Sequence, residues 1–161
     1  MGLFDGLFKK SELEVASPVA GRCVRIQTVP DTTFSEEILG KGVAVKPTEG
    51  KFYAPADGSI STVFPTLHAI GVTTGEGVEI LIHVGLDTVN LKGEHYKVHV
   101  QEGAKVKKGD LLLEADIEAI AAAGYNTITP VLICNSGDYK EVTADTEKEV
   151  VQGDTVLRIK L

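Results

Sequence analysis

Two short patterns each occur twice in this chain, both copies of the first lying ahead of both copies of the second. Ser17-Pro18-Val19-Ala20-Gly21 leads into Cys23-Val24-Arg25-Ile26, and Ala54-Pro55-Ala56-Asp57-Gly58 leads into Ile60-Ser61-Thr62-Val63-Phe64. Downstream, Val106-Lys107-Lys108-Gly109-Asp110-Leu111-Leu112 and Val150-Val151-Gln152-Gly153-Asp154-Thr155-Val156 share the pattern Val-x-x-Gly-Asp-x-aliphatic. In the first pair a proline sets the turn and a glycine opens the strand that follows. One such turn means little, but two repeated pairs in one chain predict an internally duplicated β unit. The remaining sequence agrees, because 17 glycines and 6 prolines punctuate short Val/Ile/Leu runs, as in a sandwich or barrel. Strands are expected over residues 22–27, 42–46, 58–64, 69–73, 79–84, 111–115, 131–134 and 156–160. Helix is expected only at 117–123, with Asp116 as cap and Gly124 as stop, and as a turn or two over 34–39. The fold class is therefore all-β: an antiparallel sandwich or barrel with internal duplication and only short helical turns.

The chain has 161 residues, enough for one domain with an ordinary core, here placed at 15–161 behind a tail at 1–14. A net charge of −7 argues against nucleic acid as a partner, since phosphates demand a basic face. No apolar run approaches the ~20 residues that span a bilayer, and no secretory signal pattern is present. The expectation is a cytoplasmic protein. Cys23 and Cys134 lack CxxC or metal spacing, so they read as buried or half-buried thiols rather than a scaffold. As a helix, residues 1–10 would align Leu3, Phe4, Leu7 and Phe8 beside Lys9 and Lys10, an outline for weak membrane contact. A frayed tail competes with that reading, because so short an isolated helix is marginal in water.

Two of the four histidines stand out. His68-Ala69-Ile70-Gly71-Val72 and Glu79-Ile80-Leu81-Ile82-His83 flank Thr73-Thr74-Gly75-Glu76-Gly77-Val78. A tight turn centred on Gly75-Glu76 sets Ile70 opposite Leu81 and His68 opposite His83. Directly opposed residues share a face with Cβ atoms roughly 4.5–5.5 Å apart, so the register predicts a histidine pair. Adjacent imidazoles disfavour double protonation. A neutral imidazole is a good nucleophile, so one ring can attack a phosphoryl group while the other donates to its oxygens. Thr66, two residues before His68, adds a hydroxyl on the same strand face. The alternative is metal, for which two histidines supply half of a tetrahedral shell. Both rings are expected near solvent, so their loss should barely affect folding.

The flanking residues carry a family resemblance. They are Val29-Pro30-Asp31, Phe34, Gly40-Lys41-Gly42-Val43-Ala44-Val45-Lys46-Pro47, Ala54-Pro55-Ala56-Asp57-Gly58, Thr66-Leu67-His68-Ala69-Ile70-Gly71, Ile82-His83-Val84-Gly85-Leu86-Asp87-Thr88-Val89, Leu91-Lys92-Gly93 and Thr129-Pro130-Val131. In this order, across residues 15 to 160, the chain resembles the glucose-class enzyme IIA component of the bacterial phosphoenolpyruvate-dependent sugar phosphotransferase system. The resemblance implies the family's duplicated hybrid motif fold. It also implies that His83 takes a phosphoryl group from phospho-HPr and passes it to a cysteine of a permease IIB domain. His68 matches the neighbour needed for onward transfer, Thr66 the hydroxyl in their network, and Asp87 a carboxylate that shapes the site. Docking in the family uses an apolar apron, here placed at Phe34, Ile38, Leu39, Val45, Phe64, Leu81 and Val89, with ordinary core as the competing reading for each of them. Thr32 and Thr33 stand where members often carry an apolar residue.

The resemblance further implies a free-standing monomer that requires no cofactor, in the cytoplasm and peripheral at the inner face of the membrane. Binding of permeases or metabolic enzymes when unphosphorylated, and zinc held by His68 and His83 with a partner carboxylate, are implied in the same way. A lysostaphin-type metallopeptidase shares the His-x-x-x-Asp spacing at His83 and Asp87, but its His-x-His element is missing. A lipoyl- or biotinyl-like carrier domain would need a Met-Lys or Asp-Lys-Ala tip, and none is present. His95 and His99, four apart among lysines, read as solvated surface.

Overall fold

The computed structural model describes residues 11–161, so the expected amphipathic segment at 1–10 lies outside the described residues. In chain order the strands are β1 (Glu12–Ala16), β2 (Gly21–Arg25), β3 (Lys41–Pro47), β4 (Lys51–Tyr53), β5 (Gly58–Val63), β6 (Ala69–Thr73) and β7 (Glu79–His83). They continue with β8 (Tyr96–Val98), β9 (Lys105–Val106), β10 (Leu111–Ala115), β11 (Thr129–Ile133), β12 (Glu141–Ala144), β13 (Lys148–Val150) and β14 (Thr155–Lys160). Among the described residues two short helices, α1 (Thr32–Ser35) and α2 (Ile117–Ala122), interrupt them. Asp116 caps α2 through the Ala119 amide at 3.0 Å, and Gly124 at φ 97° follows its end. No helix among the described residues is long and apolar enough to cross a membrane.

All the pairings are antiparallel. One sheet has eight strands in the order β13-β2-β3-β11-β7-β6-β5-β9, and two smaller sheets run β1-β14-β12 and β4-β10-β8. The large sheet reads alike from both ends, β2 matching β5, β3 matching β6 and β11 matching β7. The repeated turns occupy matching places in it. Lys107 N–H donates to Asp110 Oδ2 at 2.8 Å, and Val151 N–H donates to Asp154 Oδ2 at 2.9 Å. Ala54 N–H donates to the Asp110 carbonyl, as Ser17 N–H does to that of Asp154. The halves also exchange bonds reciprocally, Ala16 N–H to the Pro55 carbonyl and Tyr53 N–H to the Pro18 carbonyl. The duplication expected from the sequence is a pseudo-two-fold in the fold.

The correspondence extends to the small sheets. β1 meets β14 with Glu14 opposite Arg158 and a register shift just beyond Val15. β4 meets β10 with Lys51 opposite Glu114 and a shift at the equivalent step. Polarity is inverted between them. Glu114 lies between Lys51 and Lys97, whereas Lys160 lies between Glu12 and Glu141. β1 also brings residues 12–14 into a sheet, ahead of the boundary expected at residue 15.

The pleat of the large sheet divides its apolar residues between two clusters. Val43, Val45, Ile70, Val72, Ile80, Ile82, Val131 and Ile133 face the main core with Phe52, Leu112 and Leu157. Ala44, Ala69, Leu81 and Leu132 point the other way, into a smaller cluster completed by Val24, Ile26, Val29, Phe34, Leu86 and Ile128. That second cluster underlies the histidines.

Candidate functional site

His83 ends β7, and its neighbours on the chain define its tautomer. Its Nδ1 lies 2.7 Å from the Gly85 carbonyl, which can only accept, so Nδ1 carries the proton and Nε2 keeps its lone pair. Gly85 makes this aim feasible at φ 90°, in the left-handed region that favours glycine. The peptide units on either side of it are pinned: Gly85 N–H donates to the Ile128 carbonyl and Leu86 N–H to that of Asn126.

His68 reaches the same place by a different route from the one expected. The observed register sets Ala69, not His68, opposite His83, and Gly71, not Ile70, opposite Leu81. The turn is one residue wider than assumed, closing from Thr74 N–H to the Val78 carbonyl with Gly77 at φ 89°. Within a regular ladder that slip would send the two rings to opposite faces. His68 escapes because it precedes β6, after a turn from Phe64 to Leu67 in which Leu67 has φ 65°. The ring centroids end 4.7 Å apart at 81°, so the pair exists despite the shifted register. Thr66 stands in that turn rather than on the strand, with its Oγ1 2.9 Å from His68 Nδ1.

Aromatic rings hold the pair from both sides. Phe34 packs against His83 at 5.0 Å, and Phe64 presents an edge-on contact to His68 at 5.4 Å. His68 is 2% exposed and His83 half-buried, which corrects the expectation that both rings lie near solvent. Removing His68 therefore opens a buried site. Burial, then the neighbouring His83, pushes the His68 pKa down to about 4, with a backbone contact to Thr66 opposing. Burial also lowers the pKa of His83, opposed by the Gly85 carbonyl and then by the charges of Asp31 and Asp87. Both rings are consequently neutral near pH 7.

Asp87 is exposed, at φ 58°, where a 3-10 turn over Thr88–Leu91 begins, and acts on His83 through its charge. Asp31 has a place that sequence reasoning did not assign. Its carboxylate caps α1 through the Thr33 amide at 3.0 Å, which fixes the helix that carries Phe34, and its charge acts on His83. The Asp-Thr-Thr start before Phe34 was the readable signal of that cap. The apolar apron is divided. Ile38 at 66%, Leu39 at 42% and Val89 at 50% are exposed on the segments that carry Phe34 and Asp87. Val45 is a correction: the pleat turns it with Val43 into the main core, fully buried. Phe34 and Leu81 are buried in the second cluster and support the site from beneath instead of lining its surface, while Phe64, packed on that cluster, is half-buried.

Elsewhere, His99 Nε2 lies 2.7 Å from Glu114 Oε2, and His95 sits just before β8 at φ 76°, away from the pair. Cys23 is buried, but Cys134 is exposed just past β11, against expectation. Among the described residues no group of three His, Cys, Asp or Glu is placed to hold a metal ion.

Comparison with known proteins bears on the same residues. The family model for the phosphoenolpyruvate-dependent sugar phosphotransferase system, EIIA 1, matches residues 13–139, a span that includes both histidines. The PTS system glucose-specific EIIA component of Haemophilus influenzae is 41% identical over 162 aligned positions, covering 98% of this chain and 97% of that protein. The beta-glucoside-specific EIIBCA component of Halalkalibacterium halodurans is 42% identical over 91% of this chain. This chain spans 23% of that relative's length. The solved structure of glucose permease IIA from Mycoplasma capricolum superposes with a TM-score of 0.87 at 38% identity, covering 94% of this chain and 97% of that one. With its antiparallel, internally duplicated sheets and its paired histidines, the chain belongs to the EIIA 1 family of the phosphoenolpyruvate-dependent sugar phosphotransferase system.

Proposed function

We propose that this protein is a phosphoryl carrier, taking phosphate from phospho-HPr on His83 and giving it to the IIB domain of a glucose-class sugar permease. The observation that carries the reading is the tautomer of His83, with Nδ1–H held by the Gly85 carbonyl and Nε2 left as the nucleophile. The Nε2 lone pair attacks phosphorus, an N–P bond forms, and the N–P bond to the donor's histidine breaks with its electron pair leaving on the donor. Because Nδ1 keeps its proton, the phosphorylated ring is cationic. The Gly85 carbonyl and the charges of Asp31 and Asp87 favour that cation. His68, neutral and 4.7 Å away, offers a ring nitrogen to the phosphoryl oxygens. In the second step a cysteine thiolate of IIB attacks phosphorus, and the bonding pair returns to Nε2.

Incubation with phosphoenolpyruvate, enzyme I and HPr should add one acid-labile phosphoryl group, absent in His83→Ala, by intact mass. No gain beside an HPr that phosphorylates normally would overturn the reading. His68→Gln should accept the group but fail to hand it to IIB, and normal sugar phosphorylation by that variant would remove the role given to His68.

The same reading places the protein in the cytoplasm as a monomer that meets the inner face of the membrane at its permease. Ile38, Leu39 and Val89 are the exposed contacts for HPr and IIB. The unphosphorylated form is further proposed to bind permeases or metabolic enzymes, tested by whether His83 phosphorylation releases them. Zinc on His68 and His83 would need the partner's carboxylate, since the pair supplies two nitrogens. Unchanged partner binding in a chelator would exclude the ion.

A further inference from the structure

The residue between His83 and Gly85 ties the site together. Val84 N–H donates to the His68 carbonyl at 2.7 Å, so its backbone joins the segments bearing the two rings. Its own carbonyl accepts from two hydroxyls, Thr88 Oγ1 at 2.8 Å and Tyr96 Oη at 2.8 Å. Thr88 is fully buried and Tyr96 8% exposed, so neither hydroxyl has ready exchange with water. Tyr96 comes from β8, in a three-stranded sheet, while the loop it grips follows β7 of the large sheet. The peptide unit between Val84 and Gly85 is thus held at both ends, its carbonyl by Tyr96 and Thr88 and its N–H by the Ile128 carbonyl. Only Gly85, the most torsionally free residue type, separates this unit from the carbonyl that holds His83 Nδ1.

We propose that Tyr96 is a positioning residue for phosphoryl transfer: through the Val84 carbonyl its hydroxyl fixes the peptide plane from which Gly85 aims at His83. This rests on the reading of His83 as the phosphoryl acceptor. Loosening the plane leaves the Gly85–Leu86 unit held by the Leu86 N–H bond to the Asn126 carbonyl alone. The Gly85 carbonyl then swings off Nδ1 more often, and the imidazole samples the tautomer whose Nε2 bears a proton and cannot attack. Thr88 shares the load, so losing Tyr96 alone weakens the hold without releasing it.

The test is Tyr96→Phe, which keeps the buried ring, alongside Thr88→Val and the double variant. Nitrogen-15 NMR of the His83 ring should show one tautomer, Nδ1–H, in the wild type and a mixture in Tyr96→Phe. Uptake from phospho-HPr should slow about threefold, part of one neutral hydrogen bond, and more than tenfold in the double variant. Thr88→Ser, which retains the hydroxyl, should behave as wild type in both measurements. An unchanged tautomer and an unchanged rate in Tyr96→Phe would overturn the proposal. The tautomer is measured without HPr, so a wild type that takes up no phosphate refutes the carrier reading while the NMR still decides on Tyr96. Should the double variant not fold, the single variant carries the decision.

Discussion

Acidification should destabilise this protein through His68 before its carboxylates titrate. The ring is 2% exposed and its folded pKa is about 4, against about 6.5 in an unfolded chain. Between those values the unfolded chain binds a proton that the folded chain refuses, so protonation draws molecules out of the fold. The contribution is complete above about pH 6.5, declines as pH falls through the window, and is gone below about 4. The gap corresponds to about 3 kcal/mol from this one ring. That is a large share of the ~5–15 kcal/mol typical of a domain. Urea unfolding at intervals from pH 7.5 to 4 measures it, with His68→Gln as the comparison, since glutamine can face Thr66 and does not titrate. The wild type should lose about 3 kcal/mol more than the variant across the window. Parallel curves would refute the reasoning, because they would mean that the folded ring protonates as readily as an unfolded one. His83, also lowered, contributes in the same direction and remains in both proteins.

A Cβ at Gly85 would lie 2.5 Å from Thr88 Cγ2 on a backbone at φ 90°. Gly85→Ala should therefore cost about 2 kcal/mol, a Tm loss of about 4–8 °C by calorimetry, together with slower phosphate uptake. Thr66→Val leaves His68 Nδ1 without its hydroxyl partner and should destabilise by about 1–3 kcal/mol, whereas Thr66→Ser should be close to wild type in chemical denaturation. Val89→Asp changes a half-exposed apolar side chain on the turn after Asp87, so Tm should stay within about 2 °C while HPr binding weakens in titration calorimetry. A Tm loss well beyond that would place Val89 in the packing of the fold.

The duplication and the histidine pair were legible because each rests on local chemistry repeated or spaced along the chain. The register was not, because Gly77 can take a left-handed conformation and widen the turn by one residue, which the sequence Gly75-Glu76-Gly77 leaves open. His68 was nonetheless paired correctly, since its position is set by the Phe64–Leu67 turn outside the ladder. Its burial was hidden for a related reason: Phe64 and His83 cover it only after the strands assemble. Val45 was misplaced as surface although Val43-Ala44-Val45 alternates, because in a sheet apolar on both faces alternation of size does not mark which side is solvent. Strands of two or three residues, such as β4, β8, β9 and β13, are too short to show a period and are defined by their partners.

A chain assembled from two copies of one unit has to tell them apart while it folds. β1 on β14 and β4 on β10 share a register shift at the equivalent step, so the two pairings resemble one another. The inverted charges decide between them. Correct assembly sets Glu14 against Arg158 and Lys51 against Glu114, while exchange would set Glu14 against Glu114 and Lys51 against Arg158. Directly opposed like charges on neighbouring strands destabilise a pair, whereas an exposed ion pair such as that of Glu14 with Arg158 contributes roughly 0.2–1 kcal/mol. Small as stabilisers, these charges make each edge strand an electrostatic match for its own partner and a mismatch for its counterpart in the other half.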